Sequence, residues 1–357
     1  MKVYMQYPLG ISDSQYYKSM IDNHPENIEY INTLKGIGMI HNKRKFLLLN
    51  LLKNIVRTLT NKLGLIIPNA HTSPVGDYDI IHCGHCLSKN KNKPNVIDVE
   101  SLWQLWISGC DEREKVLEYL KRDNCKRIIA WTESTKQDII EKFPEVKNKV
   151  EVIYYAMKYP KETKKNDKEI TLFFSGRHFY SKGGLHATEA MDRLTKKYSN
   201  VKGIINGVIP KEIKEKYSKN KKLKFYGLMP HKKVLKLYEA ADIFVYPGYS
   251  DSFGFVFIEA MAYGIPTVTV DGYARKEIIK EDRTGFVLDR PIILNIKDIE
   301  ETIIDDIVKK TSSLIENEEL LNNMSEECRL EVKQGRFSIQ ERNKRLSKVY
   351  KKITIKK

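Results

Sequence analysis

Residues 241–288 read ADIFVYPGYSDSFGFVFIEAMAYGIPTVTVDGYARKEIIKEDRTGFVL, and their punctuation decides the fold. The apolar run Ile243 to Tyr246 predicts a strand and is followed by a loop rich in Pro and Gly. A short helix is predicted from about Phe255, and Pro266 to Val270 predicts a second strand after the break at Gly264. Polar residues and glycines gather at the carboxyl end of the first strand, where ligands bind in open α/β sheets. Gly248 and Gly254 permit turns or a close backbone approach that a side chain would block. A helix starting near Phe255 would aim unpaired amides at an incoming anion such as a diphosphate. Asp251 and Glu259 suit sugar hydroxyls instead, because carboxylates accept their hydrogen bonds but repel phosphate. On composition alone, an ordinary surface helix with two solvated acids explains these residues equally well.

Upstream, Ile170 to Phe174 predicts another strand, followed by Ser175-Gly176-Arg177, then Ser181-Lys182-Gly183-Gly184 and a helix from Leu185 to Lys197. One strand end thus delivers Arg177, Lys182, two glycines and a helix start, the combination of fixed cations and exposed amides that a diphosphate requires. Two more surface cations in a cationic protein is the competing explanation. Strands are also predicted over Lys202 to Gly207 and Leu223 to Tyr226, the latter ending at Gly227-Leu228-Met229-Pro230 before a helix from His231 to Ala241. Helices are predicted over Ile296 to Asn317, Leu320 to Lys333 and Ser338 to Lys352. Leu346 and Tyr350 fall in register on the last, which predicts packing rather than a free basic arm for nucleic acid.

The amino-terminal part opens with a predicted strand, Val3 to Gln6, a turn at Tyr7-Pro8-Leu9-Gly10 and a weakly periodic helix over Ser12 to Met20. Lys43 to Leu59 combines apolar residues at helical spacing with cations only. Such a helix either packs its stripe on the domain's sheet or lies in an acidic membrane interface, and packing is the expectation because a doubly wound domain needs a helix there. Further strands are predicted over Gly64 to Ile67, Tyr78 to His82, Asn95 to Val99, Arg127 to Trp131 and Lys149 to Tyr154, at the spacing of parallel strands with crossovers. His82, His85, Asp98 and Glu100 fall at or near two of these strand ends and are expected to face one crevice. Asp77-Tyr78-Asp79 has the DxD pattern of metal-dependent sugar transferases, but it precedes its strand and reads as a turn. Met157 to Glu169 is Lys-rich and aperiodic, a linker between domains.

At 357 residues and 41% hydrophobic content the chain has room for two domains with sizeable cores. A net charge of +16 favours anionic partners, although the lysines are spread over nearly all segments. Five cysteines, an odd number, suit a reducing compartment. Cys83 and Cys86 form a CxxC without a second pair, so buried thiols are expected rather than a metal site. With no signal peptide before the first strand and no run of eighteen apolar residues, the expected location is cytoplasmic.

Residues 170 to 289 resemble the donor domain of the family 4 retaining glycosyltransferases, which have the GT-B architecture. The resemblance is carried by Ser175-Gly176-Arg177, Lys182-Gly183, Phe225 to Gly227, and above all Asp251-Ser252-Phe253-Gly254-Phe255-Val256 through Glu259-Ala260-Met261-Ala262 to Gly264 and Pro266-Thr267-Val268. The family usually has glutamate at both ends of this E-x7-E pattern, whereas this chain has the shorter Asp251 at the first. The resemblance implies that Arg177 and Lys182 hold a nucleotide sugar's diphosphate with help from Gly176, Ser252, Phe253 and the amides around Gly254 and Phe255. It implies that Glu259 holds the ribose, that Asp251 faces the transferred sugar, and that Gly227 and Met229 lie at the base. Arg177, Lys182 and Asp251 are then the catalytic candidates, and no metal or other cofactor is required. Toward the amino terminus only Gly10 remains of the family's glycine-rich loop, and Glu100 stands where many members have histidine. Gly10, His85 and Glu100 are the acceptor-side candidates.

The expected fold class is α/β, with two Rossmann-like domains facing each other across a cleft. They are residues 1–160 on the acceptor side and 170–335 on the nucleotide-sugar side, and the helix in 336–357 is expected to pack back toward the first. The expected reaction is retaining transfer from a nucleoside diphosphate sugar to a hydroxyl of a glycan or lipid-linked acceptor. The basic, leucine-rich segment adds an anionic membrane surface as a partner and a peripheral place on the cytoplasmic face. The alternatives are another sugar-phosphate enzyme on the same scaffold, or a nucleotide-sugar-binding protein without turnover, at which Asp251 hints.

Overall fold

The computed structural model describes residues 1–7, 15–33, 51–52, 54–55, 58–60, 62–65, 67–108, 113–160, 169–250, 253–290, 295–298 and 300–354. The described chain divides into two compact units, one formed by residues up to 156 together with those from 339 onward, the other by residues 157–338.

The first unit contains β1 (Lys2–Gln6), α1 (Gln15–Asp22), β2 (Glu29–Ile31), β3 (Ile67–Pro68), β4 (Ala70–His71), β5 (Ile80–Gly84), β6 (Leu87–Ser88), β7 (Asn95–Val99), β8 (Trp106–Ser108), α2 (Arg113–Lys121), β9 (Cys125–Ala130), α3 (Glu133–Lys142) and β10 (Val150–Val152). Its main sheet runs β10-β9-β7-β5-β1-β2, parallel at every pairing. β5 and β7 are buried at every residue, as expected of central strands in a sheet covered on both faces. Asp77 and Asp79 serve as a structural turn at the foot of β5: Asp79 accepts from the Lys2 amide at 2.8 Å and Asp77 pairs with the Lys2 ammonium.

The second unit contains β11 (Ile170–Gly176), α4 (Gly184–Lys197), β12 (Val201–Gly207), α5 (Lys211–Lys216), β13 (Leu223–Tyr226), α6 (His231–Glu239), β14 (Ile243–Val245), α7 (Phe255–Ala262), β15 (Thr267–Val270), α8 (Arg275–Ile278), β16 (Gly285–Leu288), α9 (Glu301–Glu316) and α10 (Glu318–Lys333). The final helix, α11 (Ile339–Thr354), groups with the first unit, where Leu346, Val349 and Tyr350 are fully buried. The second sheet runs β13-β12-β11-β14-β15-β16, again all parallel. Counted within the unit this is the order 3-2-1-4-5-6 of dinucleotide-binding folds, whose switch point lies between β11 and β14. α4 shows how the sequence fixes a layer: Leu185, Ala187, Ala190, Met191 and Leu194 recur at helical spacing and are buried, while Lys196 and Lys197 occupy the last turn, where cations favour the helix dipole. Both units are thus Rossmann-like, in agreement with the expected fold class.

Of the segment predicted as a packed helix, residues 43–50, 53, 56 and 57 lie outside the described residues, Phe46, Leu48, Leu49 and Val56 of its stripe among them. Its described residues from 51 to 62 are helical, yet Leu51, Leu52, Ile55 and Leu59 are between 45% and 57% exposed. Their stripe does not cover the sheet. The strand expected at Gly64 to Ile67 shrinks to β3, with Gly64 in a left-handed turn before it. Among the described residues no helix is long and apolar enough to cross a membrane.

Candidate functional site

The switch point of the second sheet places two loops side by side. After β11 the chain turns through Arg177 to Lys182, held by amide bonds from Lys182 to His178 (2.9 Å), Gly183 to Tyr180 (2.9 Å) and Gly184 to Phe179 (2.8 Å). After β14 the loop from Pro247 meets it directly. The Gly248 amide donates to the Lys182 carbonyl at 3.0 Å, Lys182 Nζ donates to the Ser250 carbonyl at 3.1 Å, and Ser250 Oγ donates to the Ser181 carbonyl at 3.3 Å. A β-carbon on Gly183 would lie 2.5 Å from Pro247, and Gly183 has φ +76°, so only glycine closes this joint without strain.

Two helices begin here, both at a left-handed glycine. Gly183 caps α4 and Gly254, with φ +79°, caps α7, neither with a side-chain capping bond. No capping side chain closes either helix start, an arrangement that suits an anion, although the Gly184 amide is bonded to the Phe179 carbonyl and the Phe257 amide to that of Gly254. Behind them, Ser175 Oγ donates to Asn206 Oδ1 at 3.0 Å and Asn206 Nδ2 donates to the Gly227 carbonyl at 2.8 Å. Asn206, only 4% exposed, thereby ties the ends of β11, β12 and β13 and fixes the loop that carries Gly227 and Met229. One turn into α7, Glu259 has a side chain 9% exposed, and His231 Nε2 at the start of α6 lies 2.6 Å from its Oε1. The imidazole occupies one carboxylate oxygen and leaves the other for a further donor.

The second unit therefore brings Gly176, Arg177, Lys182, Gly227, Met229, Gly254, Phe255 and Glu259 to the carboxyl ends of neighbouring strands. Phe253 is 1% exposed with its ring 5.3 Å from that of Phe255, so its side chain belongs to the core beneath the loop. Asp251, Ser252 and Gly10 lie outside the described residues. Asn206 and His231 are additions that sequence reasoning missed. An Asn-Gly pair at a strand end was the available signal for the first, and a histidine directly after Pro230 at a helix start for the second.

In the first unit the four residues expected to share a crevice separate into two pairs. His82 and Asp98 are fully buried, with Nε2 2.8 Å from Oδ2, and His82 Nδ1 lies 2.6 Å from the Tyr350 hydroxyl of α11. They are core polar groups, a correction that follows from their positions on the central strands β5 and β7 rather than beyond them. His85 and Glu100, one residue past the ends of these strands, do come together, with Nε2 3.8 Å from Oε2. Gln104 orients Glu100, donating to Oε2 at 3.1 Å while its own Oε1 accepts the Glu100 amide at 3.0 Å. His85 has φ +56° and its ring lies 4.7 Å from Trp131. Burial holds its imidazole below the ordinary histidine range, against the pull of Glu100 and Asp98. Its Nε2 has no hydrogen-bond partner among the described residues. Cys83 and Cys86 are buried free thiols, and among the described residues no group of three or more His, Cys, Asp or Glu is placed to hold a metal.

Residues 157–331 match the family model described as Glycosyl transferases group 1. A glycosyltransferase of Methanocaldococcus jannaschii is 28% identical over 243 residues, covering 59% of this chain and 62% of that protein. The matches span about three-fifths of the length of the first curated relatives. Among solved structures, Anabaena HepE in complex with UDP superposes with a TM-score of 0.66 at 14% identity, over 99% of this chain and 100% of that one. A glycosyltransferase from Rickettsia africae superposes with a TM-score of 0.62 at 16% identity, over 100% of this chain and 99% of that one.

Proposed function

This chain has the GT-B fold and the architecture of the family 4 glycosyltransferases, and from that premise we propose that it transfers a glycosyl group from a nucleoside diphosphate sugar to a hydroxyl of a glycan or lipid-linked acceptor, with retention at the anomeric carbon. The observation that carries the proposal is the joint between Gly183 and Pro247, which sets two glycine-capped helix starts and the Lys182 ammonium at one switch point. A diphosphate is the ligand such a constellation suits, since amides and fixed cations hold it without reorganisation as charge builds on the leaving group.

Arg177 and Lys182 stabilise the departing diphosphate, in the role a divalent metal plays in other transferases. Glu259, steadied by His231, accepts the ribose hydroxyls. Asp251 faces the transferred sugar, and the loop at Gly227 and Met229, fixed through Asn206, lies along the base. His85 and Glu100 serve the acceptor. The departing phosphate takes the acceptor's proton, so no protein carboxylate has to act as base. The four described cysteines, all free thiols, support a reducing, cytoplasmic setting. Incubation with a panel of nucleotide sugars and hydroxyl acceptors tests the proposal. Release of nucleoside diphosphate with a glycosylated product is the expected result, and nucleotide binding without turnover on any acceptor class would point to a binding protein instead.

A further inference from the structure

The described helical residues from 51 to 62 carry Leu51, Leu52, Ile55 and Leu59 within an arc of about 100° at helical spacing, all strongly exposed. The apolar surface continues past the helix. Leu63 is 70% exposed and Leu65 46%, and Leu65 leads into β3, whose antiparallel partner β8 exposes Ile107. Single exposed leucines are ordinary, but a contiguous stripe of them marks a surface that something covers.

The charge of the sequence that carries the stripe says what kind of surface covers it. From Tyr30 to Gly76, 47 residues contain no Asp or Glu and seven Lys or Arg, including Lys43, Arg44 and Lys45. The other 310 residues hold all 46 acids, so six or seven would be expected in a stretch of this length. A soluble protein partner with a matching apolar face gives no reason to exclude acids so completely. A second copy of this chain would set an acid-free, cationic stretch of sequence against its own like in a two-fold contact. Nucleic acid would attract the cations but offer nothing to the leucines. An anionic bilayer satisfies both halves, with apolar side chains entering the acyl boundary and cations attracted to headgroups. Lys62, exposed at the end of the helix, can keep its ammonium at the headgroup level while its stem lies along the apolar face.

We propose that the exposed side chains of Leu51, Leu52, Ile55, Leu59, Leu63 and Leu65 form an in-plane membrane anchor that docks the amino-terminal unit on anionic lipid. The anchor is separate from the nucleotide-sugar site, and a chain unable to bind any nucleotide would still dock. The full chain is sedimented with vesicles of phosphatidylcholine alone or with about 30% phosphatidylglycerol, at about 0.1 M and 0.5 M salt. Binding to the anionic vesicles at low salt is expected, about tenfold weaker without the anionic lipid or at high salt. Ile55→Glu with Leu59→Glu is expected to weaken vesicle binding at least about tenfold, with unchanged far-UV circular dichroism and unchanged nucleoside diphosphate binding. Lack of sedimentation with anionic vesicles, or equal binding by the double variant, would overturn the anchor. So would a dimer seen by light scattering that the double variant abolishes, which would show the stripe to be a self-interface.

Discussion

Replacing Gly254 with alanine tests whether the start of α7 is built as described. The residue has φ +79°, and an added β-carbon would lie 2.6 Å from two ring carbons of Phe257, a side chain with no exposed surface. The left-handed backbone costs about 1–2 kcal/mol once a β-carbon is present. Forcing a methyl against a ring that cannot retreat costs about 1–3 kcal/mol more. Gly254→Ala should therefore destabilise its unit by about 2–5 kcal/mol, lowering the urea midpoint by about 1–2 M when unfolding is followed by circular dichroism. The built-in control is Gly227→Ala, where an added β-carbon meets nothing within 4 Å and the change should stay within about 0.5 kcal/mol. Because α7 supplies amides to the proposed diphosphate site, nucleoside diphosphate affinity measured by calorimetry should also fall at least about tenfold in Gly254→Ala. A destabilisation below about 1 kcal/mol with unchanged nucleotide affinity would refute the tight left-handed cap.

Lys182→Ala should lower kcat by about 10²–10³ while donor affinity falls about tenfold, because the ammonium meets most of its charge as the diphosphate departs; steady-state kinetics with equal turnover in the variant would remove Lys182 from catalysis. His231→Ala removes the 2.6 Å partner of Glu259 and should raise the donor KM about tenfold with little change in kcat. The same variant should be less sensitive to a donor lacking a ribose hydroxyl than wild type, and equal sensitivity would detach His231 from ribose binding. Burial lowers the folded-state pKa of His85, and likewise that of His186. The unfolded chain then binds protons that the folded chain refuses, so stability should be full above about pH 6.5 and decline below it. His85→Gln should reduce the difference between urea midpoints at about pH 7.5 and 5.5, and an undiminished difference would show that His85 carries none of it.

The second unit was nearly transparent in the sequence because its central strands are buried on both faces. Such strands read as continuous apolar runs, and Ile243–Val245 and Thr267–Val270, buried throughout, each differ from their predictions by one residue, while the half-exposed edge strand Leu223–Tyr226 coincides with its own. The three-residue edge strand Glu29–Ile31 left no such run and went unseen. His231 escaped notice for a different reason: its partner Glu259 is 28 residues away, and only the packing of α6 beside α7 joins them. Periodicity identified an apolar face within Lys43 to Leu59 but not its cover, since the same stripe serves a core, a partner or a bilayer. In the first unit, strand ends were located well enough to name His85 and Glu100. Whether a residue at a strand end points outward turns on a single position, and His82 and Asp98 fell on the inner side.

Calorimetric titration of the full chain with UDP, GDP and other nucleoside diphosphates, repeated on Arg177→Ala and Lys182→Ala, bears most directly on the donor site. One-to-one binding of at least one of them, weakened about tenfold or more by each substitution, is the expected result. Failure of every nucleoside diphosphate to bind, or binding that neither substitution disturbs, would contradict it.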